Sequence, residues 1–423
     1  METEEMKMLF WFGSAALVLG SGGLGASIAF LCASAEAKRN KTRWDAERKG
    51  MEEELARLRR SVDHSAKTVS PKMDSAGSGR WEGATSPVSP LEVSYPEPEV
   101  ADVPGGILRS LPIPEDLPPI SHDLPEPAWT DRVFRRGRAV VVTMADASGA
   151  DSTPIFVLGD LHGDADSLRR ILAHVFSVSP DARIVFLGDL ADRSPLRKTL
   201  ECARLLFWAA KTHPGKILWL RGNHDSIAWN GERGLFVSET LPHDFADALN
   251  EHVRFREEGK ALASFMATLP VAAVIGNVFL SHGGVLQDDE RGLRSFVGLA
   301  ALTGDQCSDL VWSRMRDVPS KLASRNSRGA EVGFRQAEAF AHRLRETDGL
   351  EIAHFVCGHQ HEAKHGFGYL PFDRQFIRGV SCQCVTSFFN RNASDIPARP
   401  AILRLDGPRT PVPVLFPLSD DFS

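Results

Sequence analysis

Five short apolar runs in this chain end in clusters of Asp, His and Asn, and no other feature constrains its fold as strongly. Residues 154–158 (PIFVL) lead into Gly159-Asp160-Leu161-His162-Gly163, and 184–187 (IVFL) into Gly188-Asp189-Leu190-Ala191-Asp192-Arg193. Residues 217–221 (ILWLR) lead into Gly222-Asn223-His224-Asp225, 278–281 (VFLS) into His282-Gly283-Gly284, and 354–357 (HFVC) into Gly358-His359-Gln360-His361. An apolar run of this length bounded by Gly reads as a buried strand. A glycine at the strand end lets the backbone turn tightly, so that the next polar side chain points into a shared cleft. Such clefts lie at the carboxyl ends of strands in α/β sheets. Asp, His and Asn offer oxygen and nitrogen ligands that suit Mn, Fe or Zn. Five convergent strand ends therefore predict a two-metal hydrolytic site.

The pattern around these runs predicts an α/β fold. Strand 154–158, a helix near 165–176, strand 183–187, a helix near 196–212 and strand 216–220 follow one another at a pitch that implies right-handed crossovers and a parallel sheet. Ala139 to Met144 reads as an earlier strand. Strands near 277–281, 352–357, 380–387 and 401–405 are spaced less evenly and suggest a second sheet packed on the first. The catalytic domain is expected over residues 131–418.

What precedes it differs in character. From Met8 to Ala35 run 28 residues without a formal charge, more than the roughly 20 needed to cross a bilayer. The acidic lead-in of Glu2, Glu4 and Glu5, and the length of the stretch, argue for an uncleaved single-pass anchor rather than a cleaved signal peptide ending near Ala33-Ser34-Ala35. Lys38, Arg39, Lys41 and Arg43 follow the span against Lys7 before it, which places the catalytic domain on the cytoplasmic side of the membrane. Residues 36–63 are charged, with an apolar stripe at Trp44, Met51, Leu55, Leu58 and Val62, and read as a juxtamembrane helix. Residues 64–130 hold 12 of the 26 prolines, and acidic residues outnumber basic ones there by 10 to 4. That composition predicts a disordered, partly polyproline-like linker.

A net charge of −6 over 423 residues gives no basic footprint for nucleic acid. The six cysteines, Cys32, Cys202, Cys307, Cys357, Cys382 and Cys384, have neither disulfide-framework nor zinc-ribbon spacing and read as reduced thiols.

In order, G-D-x-H-G, G-D-x-x-D-R, G-N-H-D, H-G-G and G-H-Q resemble the calcineurin-like metallophosphoesterases. Leu220-Arg221-Gly222-Asn223-His224, Asp309-Leu310-Val311-Trp312-Ser313, Arg328-Gly329, His359-Gln360 with Gly366-Phe367, and Val385-Thr386-Ser387-Phe388-Phe389-Asn390 resemble the phosphoprotein phosphatase family of serine/threonine phosphatases within them. The resemblance covers about the last two-thirds of the chain. It implies a two-sheet β-sandwich flanked by helices and two divalent or trivalent metal ions (Mn, Fe or Zn). Asp160, His162 and Asp189 would hold the first ion; Asp189 would bridge to the second, which Asn223, His282 and His359 complete. His361 meets the wider superfamily's G-H-x-H pattern and is a further candidate ligand, or else an outward-facing loop residue. The resemblance also implies attack on phosphorus by a metal-bridged hydroxide. It makes His224 the proton donor to the leaving group, oriented by Asp192, with Arg193, Arg328 and Asn223 on the phosphate.

Four departures bear on the substrate. Ser194 stands where the family has Gly, Asp225 replaces the Glu of G-N-H-E, Arg314 follows Ser313 in place of Asp-Pro, and Arg391 stands in place of a tyrosine. The expected function is a membrane-anchored serine/threonine phosphatase acting on phosphoproteins or phosphorylated small molecules. The alternatives are an ApaH-like dinucleoside polyphosphate hydrolase, suggested by Asp225, and a non-catalytic phosphoprotein-binding pseudophosphatase.

Overall fold

Side chains alternate along a strand, so a strand buried on both faces sends its apolar residues in two directions. In Ile155–Leu158 (β4), Phe156 and Leu158 join one core while Ile155 and Val157 join another. Arg183–Phe186 (β5) repeats this, with Ile184 and Phe186 facing the first core and Val185 the second. The protein is seen in a computed structural model that describes residues 99–100, 114, 116–120, 133–136, 139–142, 153–316, 329–361, 367–371, 380–388, 399–405 and 411–416. The predicted anchor (8–35), the juxtamembrane helix (36–63), most of the linker, Arg328, Asn390 and Arg391 lie outside these residues. Among the described residues no helix is long and apolar enough to cross a membrane.

Two sheets carry the fold. Glu99–Val100 (β1), Ile217–Trp219 (β6), Ala401–Leu405 (β16) and Val412–Leu415 (β17) join β4 and β5 in the order β1-β17-β16-β4-β5-β6, with β4, β5 and β6 parallel. The second sheet contains Val133–Arg136 (β2), Ala139–Val142 (β3), Ala272–Ile275 (β9), Val278–Ser281 (β10), His354–Cys357 (β13), Tyr369–Pro371 (β14) and Ser381–Val385 (β15). Its order is β14-β15-β13-β10-β9-β3-β2, with β10, β13 and β15 parallel. Val157, Val185 and Leu218 from one sheet and Val278, Leu280 and Val356 from the other share one core, so the sheets face each other.

Helices cover both outer faces. Ala165–Val178 (α1), Leu196–Thr212 (α2), Asp244–Glu251 (α3) and Arg256–Met266 (α4) pack on the first sheet through Leu168, Leu172, Leu206, Leu249 and Leu262. Gly304–Trp312 (α5) and Phe334–Asp348 (α6) cover the second through Leu310, Phe340 and Leu344. The hairpin Ala228–Asn230 (β7) and Leu235–Val237 (β8), and the short pair Arg314–Met315 (β11) and Glu331–Val332 (β12), lie outside the two sheets. Asp164 caps α1 by accepting the Ser167 N–H at 3.0 Å, which fixes the helix start three residues after His162.

Part of the stretch expected as free linker lies on the domain. Glu99 and Val100 pair with Val414 and Leu415, and Arg404 clasps the Glu99 carboxylate. Ile120 is buried in the first core, and its N–H donates to Glu258 Oε1 at 3.3 Å. A β edge and an apolar patch of the domain supply the partners that the linker's own composition lacks.

Candidate metal centre

The site forms where the C-terminal ends of β4, β5, β6, β10 and β13 meet. Gly188 and Gly222 make that meeting possible. A Cβ on Gly188 (φ 101°) would collide with the Gly222 backbone, and one on Gly222 with the Asp189 backbone.

Two clusters of ligand-type atoms result, one of Asp160, His162 and His361, the other of Asp189, His282 and His359, with the donor atoms within each no more than 4.8 Å apart. They adjoin: His162 Nε2 is 3.7 Å from both Asp160 Oδ2 and Asp189 Oδ2, and His282 Nε2 is 3.2 Å from Asp189 Oδ2. Asp189 thus lies between them. Asn223 Oδ1 joins the second cluster, 2.9 Å from His282 Nε2. His361, which the sequence left between a ligand and an outward-facing residue, turns inward, its Nε2 2.5 Å from Asp160 Oδ2 and 3.3 Å from His162 Nε2.

Backbone carbonyls orient two of the imidazoles. His162 Nδ1 donates to Ala191 O at 2.7 Å and His282 Nδ1 to Leu187 O at 3.1 Å, so each turns Nε2 toward the carboxylates. Burial drives the pKa values of His162 and His359 well below the usual histidine range, which keeps both neutral. Burial works to raise Asp160 and Asp189, but His282 with His361 on the first, and His282 with His224 on the second, hold both below the ordinary carboxylate range. Burial would likewise lower His282; the Asp189 and Asp160 carboxylates reverse that and raise it to about 9. Left to these side chains alone, the site draws positive charge onto an imidazole.

The donor set fits metal ions on a further observation. Asp189 Oδ2 and His359 Nε2 are buried without a hydrogen-bond partner, a costly state for polar atoms unless something else satisfies them. Ionised carboxylates, the neutral imidazoles of His162 and His359 and the Asn223 amide oxygen are what a pair of hard or borderline cations requires, and His282 would give up its extra proton to such an ion. Asp160, His162 and His361 would hold one, Asp189, Asn223, His282 and His359 the other, with Asp189 between.

Beside the clusters, His224 Nδ1 donates to Asp192 Oδ2 at 2.6 Å, and Asp192 Oδ1 accepts the Phe245 N–H at 2.9 Å. Burial opposes protonation of His224, but Asp189 and then Asp192 raise its pKa above the usual value. Arg193 is exposed at the rim, with Nη1 2.6 Å from His361 Nδ1.

Sequence reasoning missed three supporting residues. Asp225 faces away from the cleft: Oδ2 accepts from Asp189 N and Gly222 N, each at 2.9 Å, and Oδ1 from Leu190 N at 3.0 Å. Phe388 sets its ring against His162 and His361, with centroids 5.1 and 5.2 Å away. Gln360 pairs with the Met315 backbone through both amide atoms, at 2.7 and 2.9 Å, locking the last ligand loop to β11. The motifs contained all three residues, but nothing in their spacing says which way a side chain points. The five described cysteines are buried and form no disulfide, and burial pushes the Cys382 thiol up to about 12.

Facing sheets with a paired carboxylate–imidazole centre at their strand ends define a two-metal protein of the α/β class. Residues 153–363 match the family model of the calcineurin-like phosphoesterases, and the chain belongs to that family. It is 32% identical over 217 residues to a Caenorhabditis elegans serine/threonine-protein phosphatase, covering 49% of this chain and 43% of that one. Against the serine/threonine-protein phosphatase 6 catalytic subunit of the same organism the identity is 29% over 196 residues, covering 45% and 55%. A solved Saccharomyces cerevisiae serine/threonine phosphatase, described as similar to human phosphatase PP5, aligns with a TM-score of 0.47 at 17% identity, covering 67% of this chain and 84% of that one. The chain spans about half the length of the two Caenorhabditis relatives.

Proposed function

We propose that this chain is a binuclear metal-dependent phosphoesterase that hydrolyses phosphoserine and phosphothreonine in proteins. The observation that carries the reading is the His224–Asp192 pair, bonded at 2.6 Å beside a carboxylate that lies between two ligand clusters. When bound, two cations supply Lewis acidity toward phosphoryl oxygens and acidify water, chemistry open to Mn, Fe or Zn. The chain's own residues do the rest. Asp192 fixes the proton on His224 Nδ1 and raises the basicity of the ring, so that His224 delivers a proton to the departing serine or threonine oxygen. Arg193, exposed at the rim, presents a guanidinium fork to the phosphate, and Arg328 is proposed for the same task from the sequence. Asn223, whose Oδ1 joins the second cluster, is proposed from the sequence to contact the phosphate as well. With every ligand and the His–Asp pair in place, a pseudophosphatase has no support.

Asp225 was the residue that suggested a dinucleoside polyphosphate substrate. Its carboxylate is spent on three backbone amides and is 1% exposed. A residue so placed has no path to the leaving group, so the Asp-for-Glu difference does not favour the anhydride reading. Anchoring by residues 8–35 is part of the proposal and rests on the sequence alone.

The deciding experiment supplies the detergent-solubilised full chain with Mn²⁺ and compares phosphopeptides, diadenosine tetraphosphate and an aryl phosphate. Phosphopeptides and the aryl phosphate should turn over; activity confined to the dinucleotide would overturn the reading. His224→Asn should lower kcat roughly 10²–10³-fold, and Asp160→Asn should abolish it. Protease applied outside intact cells should spare the catalytic domain; its digestion would reverse the proposed orientation.

A further inference from the structure

Outside the metal centre, a pocket of about 460 Å³ opens on the helical face of the first sheet. Its arginines come from three places: Arg169 on α1, Arg197 and Arg204 on α2, and Arg254 just before α4. Leu200, Leu117 and Phe255 give it an apolar floor. Its size falls within the range of functional ligand pockets.

Charge within the pocket is uneven. Arg169 pairs with Glu201 at 3.1 Å, and Arg204 grips Glu258 with two bonds of 2.7 and 2.6 Å. Arg197 and Arg254 are exposed and have no carboxylate partner among the described residues; the Arg254 guanidinium only stacks on Phe255, 4.6 Å from the ring centre. Asp116 is the acidic wall residue outside these pairs. Two unpaired guanidiniums over an apolar floor suit a chain that alternates carboxylates with apolar residues.

A segment of the chain itself already lies on this face. Asp116-Leu117-Pro118-Pro119-Ile120 runs onto this face, with Leu117 packed on the core and Ile120 buried. Arg197, in the first turn of α2, follows the exposed Arg193 by four residues in sequence, so the loop that carries Arg193 leads directly into the pocket wall. We propose that this pocket docks an acidic flank of the phosphopeptide substrate, with Arg197 and Arg254 as the residues that select it. The proposal rests on the phosphoprotein reading above and narrows its substrate class to phosphosites with neighbouring carboxylates.

The test measures kcat/KM of the full chain with Mn²⁺ on an aryl phosphate, a phosphoserine peptide with neutral flanks, and the same peptide with three Glu residues on either flank. One acidic-flank peptide should be preferred roughly fivefold through KM, a size in keeping with two partly exposed ion pairs, and the preference should shrink with added salt. The double variant Arg197→Gln/Arg254→Gln should lose that preference while the aryl phosphate and the neutral peptide turn over within twofold of the parent. No preference in the parent, or a preference that survives in the variant, would overturn the docking site. If no peptide is hydrolysed, the phosphoprotein reading fails first. Fluorescence anisotropy of the unphosphorylated Glu-rich peptide then decides the docking site alone: binding lost in the variant supports it, and no binding or equal binding refutes it.

Discussion

Among the described residues five non-glycine residues hold a positive φ, and each is a site residue: His162 at 42°, Asp189 at 61°, Asp192 at 65°, Arg193 at 64° and His359 at 64°. Such conformations cost on the order of 1 kcal/mol each and persist where surrounding bonds over-determine them. For Asp189 the determining bonds come from Asp225, which holds the amides of Gly222, Asp189 and Leu190 together. Asp225→Asn keeps the shape but points an NH₂ at one of those N–H groups, an unmade buried hydrogen bond worth about 1–3 kcal/mol. We expect Mn²⁺ affinity to fall about tenfold or more, as for other residues that hold metal ligands in place, read by metal analysis and titration. Unchanged affinity would show that Asp189 is held by other means. Asp192→Asn tests a different link: metal content should stay at that of the parent while kcat falls. His224 must be protonated to act, and Asp189 and then Asp192 raise its pKa against burial. Removing the Asp192 charge lowers the pKa, so the loss of activity with rising pH should set in at lower pH than in the parent. An alkaline limb that does not move would separate Asp192 from proton delivery.

Strand ends set the site, so substitutions where strands meet should act through the fold. At Gly188, φ of 101° and contact with the Gly222 backbone leave no room for a methyl group. Gly188→Ala should destabilise the protein by at least about 3 kcal/mol, since strain and collision add; denaturant unfolding checks this, and a loss below about 1 kcal/mol would refute it. At this scale much was legible. α2 spans residues 196–212 as expected, α1 ends two residues beyond its expected end, and β4, β5 and β6 are parallel. Period-two burial and glycine punctuation are local signals, and these elements display both. The strands β1, β2, β9, β11, β12, β14 and β17 and the β7–β8 hairpin were not foreseen, because they are short and their places depend on partners distant in sequence; the helices α3 to α6 were not foreseen either. Ile120 bonds to Glu258, 138 residues away, and no linker composition encodes such a partner.

For the molecule as a whole, the metal centre is also a point of folding stability. Its clusters join both sheets, Asp160, Asp189 and Asn223 coming from the first and His282, His359 and His361 from the second. Cations bound there would tie the two sheets across their edges, and anything that binds only the native state stabilises it. One site held at a hundred times its dissociation constant adds about 2.7 kcal/mol. Titrating Mn²⁺ into chelator-treated protein should therefore raise the unfolding midpoint in step with binding. His282→Ala should flatten that response at the second cluster, and an unchanged response in the variant would mean that the stabilising ions bind elsewhere. The docked segment makes a parallel case on the opposite side of the first sheet. Ile120 buries an apolar side chain against the helical layer, worth about 1.5–3 kcal/mol when complete, and its N–H meets a Glu258 already fixed by Arg204. Ile120→Asp places a charge in that apolar contact, so the segment should detach: amide exchange at position 120, whose N–H meets Glu258, should rise while Mn²⁺ binding and aryl phosphate turnover stay unchanged. Exchange that stays slow in the variant would mean that the pairing of Glu99 and Val100 with β17 holds this stretch without Ile120. Loss of metal binding would mean instead that segment and metal centre are one cooperative unit. The first sheet lies between them, with β4 giving Phe156 and Leu158 to the core that holds Ile120 and Asp160 to the metal centre, and this favours the two responding separately.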